Sequence, residues 1–430
     1  MTTGRGYCLM ARSIMHLKPP LFSAFSLAFA GALAGLVGLH PAAWADDWPQ
    51  WRGPNHNGIS SEKQWRDHWP AEGPPILWKA KVGTGFSSFA VAGGRVWTMG
   101  NSDDRDTVFC FDSATGKEIW SHSYAADLGD KYFEGGTTGT PTVEGDRVFT
   151  LSRWGDVFCL DAATGKVIWS RNVQKETRVR VPTWGFSGSP MVFENLLLLA
   201  VGEAGMGLDK GAGKIIWQSA NKDAGYSTPV PWQHDGKWFA LVGSGQAYLA
   251  VEPQTGKEQW RFRWLTQYGV NAADPIIDGD QVFISSGYGK GGALLKPGTG
   301  PEPAVLWKNK TLRSQRNAAV LLRGHLFGVD GDTDEKAALK CLDISSGQEK
   351  WSEPSVGSGA LMAADGKLIV LGDRGELMVA PASAEGFKPT VRAQVLGGKC
   401  WTVPVLANGL ILCRNSRGDV VCVDARVQTQ

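Results

Sequence analysis

Residues 161–169 read DAATGKVIW, and residues 112–120 read DSATGKEIW. A Thr-Gly-Lys suggests a phosphate loop, whereas a near-duplicate suggests a repeat. The residues after the lysine separate the two. A phosphate loop needs Gly-x4-Gly-Lys-Ser/Thr opening a helix. Here Lys166 leads into Val-Ile-Trp, a β-type run. Related turns return as DKGAGKIIW (209–217), EPQTGKEQW (252–260) and DISSGQEKW (343–351). So many copies of a turn do not make as many nucleotide sites. The expected roles are local. Asp161 caps the turn, Gly165 takes a positive φ, and Lys166 faces solvent.

The tryptophans that end these turns mark the period. Trp78, Trp120, Trp169, Trp217, Trp260, Trp307 and Trp351 are spaced by 42 to 49 residues. Each period opens on a small Ser/Thr-Pro segment, as in GTPTV (139–143), GSPMV (188–192) and STPVP (227–231). Gly/Asp turns then separate short apolar runs, as in EGDRVFTL (144–151) and DGDQVFIS (278–285). Short strands at this period indicate four-stranded blades arranged in a circle. Each tryptophan is expected on an outer strand, docked against the next blade.

Innermost strands are expected near Ser87, Gly139, Gly188, Ser227, Ala273, Ala318, Gly359 and Thr402. That gives an all-β, eight-bladed propeller. The last module has no outer strand after it, so ILWKAKV (76–82) is expected to pair there and close the ring. Closure removes both raw sheet edges. Seven blades is the alternative, because one period past Trp351 falls near Leu396, where no tryptophan stands.

Residues 1–45 have a different pattern. Arg5, Arg12 and Lys18 precede an uncharged apolar run from Leu21 to Leu39, then Ala43-Trp44-Ala45. This is the layout of a cleavable secretory signal, and periplasmic or secreted localisation is expected. A transmembrane anchor is the alternative that the small-x-small end disfavours. No cysteine comes after the run, so a lipoprotein anchor is not supported. Residues 46–75, with Trp48, Trp51, Trp65 and Trp69, are expected to strap the propeller, which occupies 76–430.

Cleavage would remove three basic and no acidic side chains, taking the net charge from +2 to −1. Net charge then gives no argument for nucleic acid. After cleavage the chain has no further membrane segment, and a monomer is expected. Of seven cysteines six remain, and Cys110, Cys159, Cys341 and Cys422 occupy equivalent strand positions. They are expected as buried thiols.

The repeated Asp-x-x-Thr-Gly-Lys-x-x-Trp resembles the pyrroloquinoline-quinone (PQQ) repeat, over roughly 76–424. The openings DDWPQWRGPNHNGIS (46–60), GVNAADPIIDGDQVFISSGYGKGGALL (269–295) and GGKCWTVPVLANGLILCRN (397–415) are similar to secreted PQQ-like propellers of planctomycete type. The resemblance implies one of two roles. BamB-like members are non-catalytic envelope scaffolds. The quinoprotein alcohol dehydrogenases use PQQ and calcium, and carry adjacent cysteines over the quinone. This sequence has no adjacent cysteines. The expectation is therefore an exported, non-catalytic propeller binding an envelope protein or a small polar ligand, without a required cofactor. A PQQ- and calcium-dependent alcohol or sugar dehydrogenase is the alternative.

Other catalytic sets are thin. The histidines show no HExxH, and there is no Gly-x-Ser-x-Gly. DGDTDE (330–335) lacks the spacing of a calcium loop. No catalytic or metal-ligating residue is expected. Binding is expected where loops rim the central channel. The long early loops carry Arg178, Arg180, Trp184, Tyr226, Tyr268 and Asn271, beside Tyr132 and Phe133. Later loops carry Arg313, Gln315, Arg316, Lys399 and Trp401. Middle-hairpin loops add Glu203, Tyr288, Lys290 and Arg374. Aromatics among arginines suit a flat or anionic ligand.

Overall fold

The computed structural model describes residues 47–331 and 337–427. The proposed signal, residues 1–45, and most of the DGDTDE loop lie outside the described residues. Eight antiparallel blades form the ring, each with four strands of the propeller. Blade 1 runs Ala90–Ala92, Arg95–Ser102, Arg105–Asp112 and Glu118–Ala125 from the centre outward. The innermost strands of blades 2 to 5 are Thr142–Glu144, Met191–Phe193, Val230–His234 and Ile276–Asp278. Those of blades 6 to 8 are Val320–Leu322, Ala360–Ala364 and Val405–Ala407. The seven-bladed alternative is thereby set aside. Blade 8 takes its outer strand, Ile76–Lys81, from the other end of the chain, paired antiparallel with Asp419–Asp424. No described helix is long and apolar enough to cross a membrane.

The repeated turn is built as its residues dictate. Asp161 Oδ1 accepts from Thr164 N at 2.8 Å and Thr164 Oγ1 at 2.6 Å. These bonds hold its carboxyl below the usual range. Gly165 has φ +71°, and Lys166 is exposed. A Cβ on Gly165 would stand 2.5 Å from Trp120 of the preceding blade. The turn thus requires glycine twice, for its φ and for the indole lying against it.

The tryptophans dock one blade onward. Trp120 Nε1 donates to Ala162 O at 3.0 Å, Trp169 Nε1 to Lys210 O at 3.0 Å, and Trp217 Nε1 to Pro253 O at 2.8 Å. Trp78, Trp307 and Trp351 donate likewise, to Ser113, Ile344 and Ser383 carbonyls. Trp260 is the exception. It is buried, and its Nε1 has no partner. The turn ahead of it is the lengthened KPGTGPEPAVLW, where Pro301 O is taken by Arg261 N.

Each of the seven tryptophan-bearing outer strands has a register shift just before its tryptophan, as between Val167 and Trp169. A bulge puts two residues opposite one. It leaves Ile119, Ile168 and Ile216 exposed while Trp120, Trp169 and Trp217 turn inward. Val391–Gln394 in blade 7 has neither bulge nor tryptophan. The turn such a tryptophan would meet does not exist, because blade 8 joins its last two strands without a covalent link. The missing marker near Leu396 records the closure point, not a missing blade.

Residues 47–75 do more than strap the outside. Trp48 exchanges two 2.8 Å backbone bonds with Val91, and Pro49 O accepts from Val143 N. Arg52 donates to the carbonyls of Ala318 and Ala319, and Ile59–Ser60 adds a parallel strand to the channel side of blade 7. These partners line the channel in blades 1, 2, 6 and 7. The segment enters where Asp47 meets Asn408 and Gly93, and leaves where the Glu62 carboxylate accepts from Gly409 N. Both points lie at turns that come after innermost strands. Residues 47–60 are therefore a hairpin plug inserted from one face. Beyond it, Trp65 is buried in the core shared by blades 7 and 8, and Arg66 N donates to Ala425 O. This stretch covers the seam that has no docking tryptophan.

Candidate functional site: a blind cavity at the channel mouth

The segments that lead into the innermost strands are linked hand to hand around the channel. Ser88 N donates to Thr140 Oγ1 at 3.0 Å, and Thr140 N to Ser189 Oγ at 2.9 Å. Ser189 N donates to Thr228 Oγ1 at 2.9 Å, and Thr228 N to Asp274 Oδ1 at 2.7 Å. Every link crosses a blade boundary. This gives the Ser/Thr-Pro segments a physical reason: the hydroxyl accepts from the neighbour, and the proline ends the exposed loop. Asp274, in NAADP, stands where the segments of blades 1 to 4 carry Ser or Thr. Its second oxygen accepts from Trp51 Nε1 at 2.6 Å, and Arg52 lies 3.9 Å away. Burial pushes the Asp274 carboxyl up, against Arg52, Trp51 and the Thr228 amide, which pull it down.

Above that floor lies a cavity of about 340 Å³. Its walls are an aromatic belt. Trp401 stacks on Phe86 with centroids 5.6 Å apart, and Phe86 meets Phe133 at 5.8 Å. Trp184 touches Tyr132 and Tyr226 at 5.9 Å each. Burial drives the Tyr226 hydroxyl up to about 12, so it stays a neutral hydrogen-bonding group. Between the rings sit Ser187, Thr228, Gln315, Asn317 and Thr402. The Arg316 guanidinium lies 3.6 Å over the Trp401 ring. Because the plug closes the other end, the cavity opens only at the mouth.

Of the residues expected at the rim, Trp184, Tyr226, Tyr288, Arg316 and Trp401 come together on this cavity, with Tyr132, Phe133 and Gln315. Tyr268 is 64% exposed at its edge, between Trp184 and Tyr288. Lys399 lies 4.1 Å over Trp401 but pairs with Glu134 at 2.6 Å, facing a neighbouring hollow.

Others lie apart. Arg178 caps the short helix Val173–Thr177, and Arg180 pairs with Asp223 at 2.9 Å. Arg313 is engaged by Asp330 through Nε at 2.9 Å and an Nη at 2.8 Å. Asn271 is fully buried, bracing Ser244 O, Trp264 O and Ser286 Oγ. Glu203 is tied to Lys222 and Arg261, and Arg374 is exposed. Long side chains on loops find local partners, which spacing alone does not reveal.

Four residues escaped the sequence reading. Trp51 and Asp274 form the floor, and Phe86 a wall. Arg153 is buried beneath two loops, 5.1 Å from the Phe133 ring, with an Nη donating to Trp184 O at 3.2 Å. Gly129 and Gly185 both close directly against it. A carboxylate in place of a repeated hydroxyl was the available signal for Asp274.

The family described as outer membrane protein assembly factor BamB matches residues 104–353. The chain belongs to this PQQ-like propeller family. Among solved structures the propeller is similar to BamB from Moraxella catarrhalis, with TM-score 0.62 and 16% identity over 82% of this chain and all of that one. It is also similar to the quinohemoprotein alcohol dehydrogenase of Comamonas testosteroni, with TM-score 0.64 and 13% identity over 90% of this chain and 82% of that one. A europium-containing methanol dehydrogenase matches with TM-score 0.62 and 12% identity, over 88% and 89%. At such identities these neighbours share the fold alone. No curated protein sequence matches.

The alternative expected from the sequence, a quinone held with calcium, can be tested against the mouth. Calcium takes six to eight oxygen ligands. The one carboxylate on this PQQ-like propeller's cavity, Asp274, has both oxygens engaged within the protein. Among the described residues no three His, Cys, Asp or Glu side chains are grouped to hold a metal. Cys110, Cys159, Cys341, Cys400, Cys413 and Cys422 are buried thiols, and none reaches the cavity. As placed, the described carboxylate at the mouth is committed to protein partners and not to a calcium ion.

Proposed function

We propose that this PQQ-like propeller is an exported, non-catalytic binding protein of the cell envelope, and that its ligand enters the mouth of the channel. One observation carries the reading. The chain's own plug turns the channel into a blind cavity with aromatic walls, polar side chains between them and an engaged carboxylate beneath. Such a cavity has the makings of a recognition site. It offers no free base positioned for proton abstraction. The BamB family match supports an envelope role, and the apolar run before residue 45 supports export.

The test is a thermal-shift panel of sugars, sugar acids, peptides and quinones. It compares the purified protein with a Trp184→Ala/Arg316→Ala variant. At least one ligand class is expected to raise the melting temperature of the parent and not of the variant. Equal shifts in both would move the site elsewhere. A second arm adds PQQ and calcium and monitors dye reduction with alcohols. Turnover there would overturn the non-catalytic reading.

A further inference from the structure

The hairpin tip of blade 5 carries a second feature. Trp264, at the end of the outer strand of blade 4, is fully buried. Its Nε1 donates to Ser286 Oγ at 3.0 Å, and its carbonyl accepts from Asn271 Nδ2 at 3.1 Å. Over this fixed ring stand two cations, Lys290 Nζ at 4.7 Å from the centroid and Lys308 Nζ at 5.1 Å. Arg263 is the residue before Trp264 in the chain, and its charge also acts on Lys290. Among the described residues none of the three makes an ion pair. The proximity shows in Lys290, whose ammonium is pushed down by burial and then by the charges of Lys308 and Arg263.

Like charges held this close are unfavourable unless an anion relieves them. A ring face offsets only part of that repulsion. An oxyanion is the natural counter-ion. Two residues before Lys290, Tyr288 lines the blind cavity. Two residues span at most about 7 Å of chain. Lys290 thus rises from the same hairpin tip whose Tyr288 lines the cavity.

We propose that Lys290, Lys308 and Arg263 form an oxyanion subsite for the acidic group of an anionic glycan, whose terminal ring stacks in the cavity. This rests on the mouth being the binding surface. The walls suit a sugar, since the Trp184 and Tyr226 rings line the cavity and can meet C–H groups. Gln315, Asn317, Ser187 and Thr402 offer hydrogen bonds to hydroxyls. A blind cavity accepts a chain end. The acid is a carboxylate or a sulfate ester, which present the same charged oxygens to ammonium groups.

The experiment is calorimetric titration of the full propeller with four probes at low salt. They are a galacturonate trisaccharide, a sulfated galactan trisaccharide, neutral galactotriose and a triglutamate peptide. At least one acidic sugar is expected to bind about tenfold tighter than galactotriose, a gap that closes as salt is raised. Which acidic sugar wins identifies the acid. Lys290→Gln/Lys308→Gln is expected to abolish the gap, while Trp184→Ala weakens all three sugars alike. If the lysine variant leaves the acidic preference unchanged, or acidic and neutral sugars bind equally, the subsite is refuted but the cavity is not. If triglutamate outcompetes every sugar, the ligand class is wrong. If Trp184→Ala has no effect on any probe, the mouth itself is wrong. Glutamine keeps an uncharged polar side chain at both positions, and an unchanged unfolding midpoint verifies the fold.

Discussion

Trp51 Nε1 and Asp274 Oδ2 are 2.6 Å apart, across 223 positions of sequence. This bond ties the tip of the plug to the carboxylate that ends the row of linked Ser and Thr residues in blades 1 to 5. Asp274 also faces the buried Arg52 at 3.9 Å, and Thr228 N donates to its other oxygen. Losing the carboxylate strands a buried cation. Asp274→Ala is expected to cost about 3–5 kcal/mol of unfolding free energy. Trp51→Phe keeps the ring and removes one donor, costing about 1–3 kcal/mol. Guanidinium unfolding of both variants measures the order. Asp274→Ala no worse than Trp51→Phe would show that Arg52 does not depend on it.

The repeated turn separates its glycine from its lysine. Gly165→Ala forces a positive φ on alanine and drives Cβ to 2.5 Å from the Trp120 ring. A loss above about 2 kcal/mol is expected. Lys166→Ala touches nothing buried and is expected to stay within about 0.5 kcal/mol. A nucleotide role for the turn would invert the functional weight of the two positions. Equilibrium binding of ATP by either variant and the parent checks that at once, and no binding is expected.

The orphaned Trp260 distinguishes packing from hydrogen bonding. Trp120→Phe removes the indole bond to Ala162 O, which then keeps only the bond from Arg95 Nη1 at 2.7 Å. Trp260→Phe removes a donor that has none. Both lose similar ring area, so Trp120→Phe is expected to cost about 1 kcal/mol more. Matching midpoints in urea for the two variants would contradict the role given to the docking bond.

His56 makes the plug sensitive to acid. Burial, and then the Arg52 charge, hold its imidazole down at about 4. In the unfolded chain it takes a proton near pH 6.5. The fold therefore keeps this contribution above about pH 6.5 and loses it as pH falls towards 4. The loss is up to about 3 kcal/mol. Asp106 acts in the opposite direction, since burial raises its carboxyl to about 6, and ionising it above that pH costs the fold. The comparison must be made between the parent and His56→Asn, whose stability should fall less from pH 7.5 to 4.5. Parallel pH profiles would refute the assignment.

The ring was legible because its information is local and repeated. DAATGKVIW states its turn, its glycine and its docking tryptophan in nine residues. The blade count came from the spacing, with the closing strand 76–82 inferred from what the last module lacked. The plug was not legible. Trp48, Pro49, Trp51 and Arg52 find partners in blades 1, 2, 5 and 6, and no periodicity connects them. The rim was half legible. Trp184, Tyr226 and Trp401 reach the cavity because large rings beside a concave surface have nowhere drier to go. Arg180 and Arg313 do not, because a flexible cation takes the nearest carboxylate, here Asp223 and Asp330.

The order in which the polypeptide is made conflicts with the order in which this plug can be seated. Asp47 meets Asn408, 361 positions later, and Ile76–Lys81 waits for Asp419–Asp424. Contacts of such separation carry the largest loop-closure penalty and form late. Until the last blade is available, the nascent chain is an open arc with a raw strand at each end and an unfilled axis, a state prone to aggregate. Its final step is a single locking event that shuts the arc and the bore together. Truncating even the last strand should release both, leaving no smaller stable ring behind.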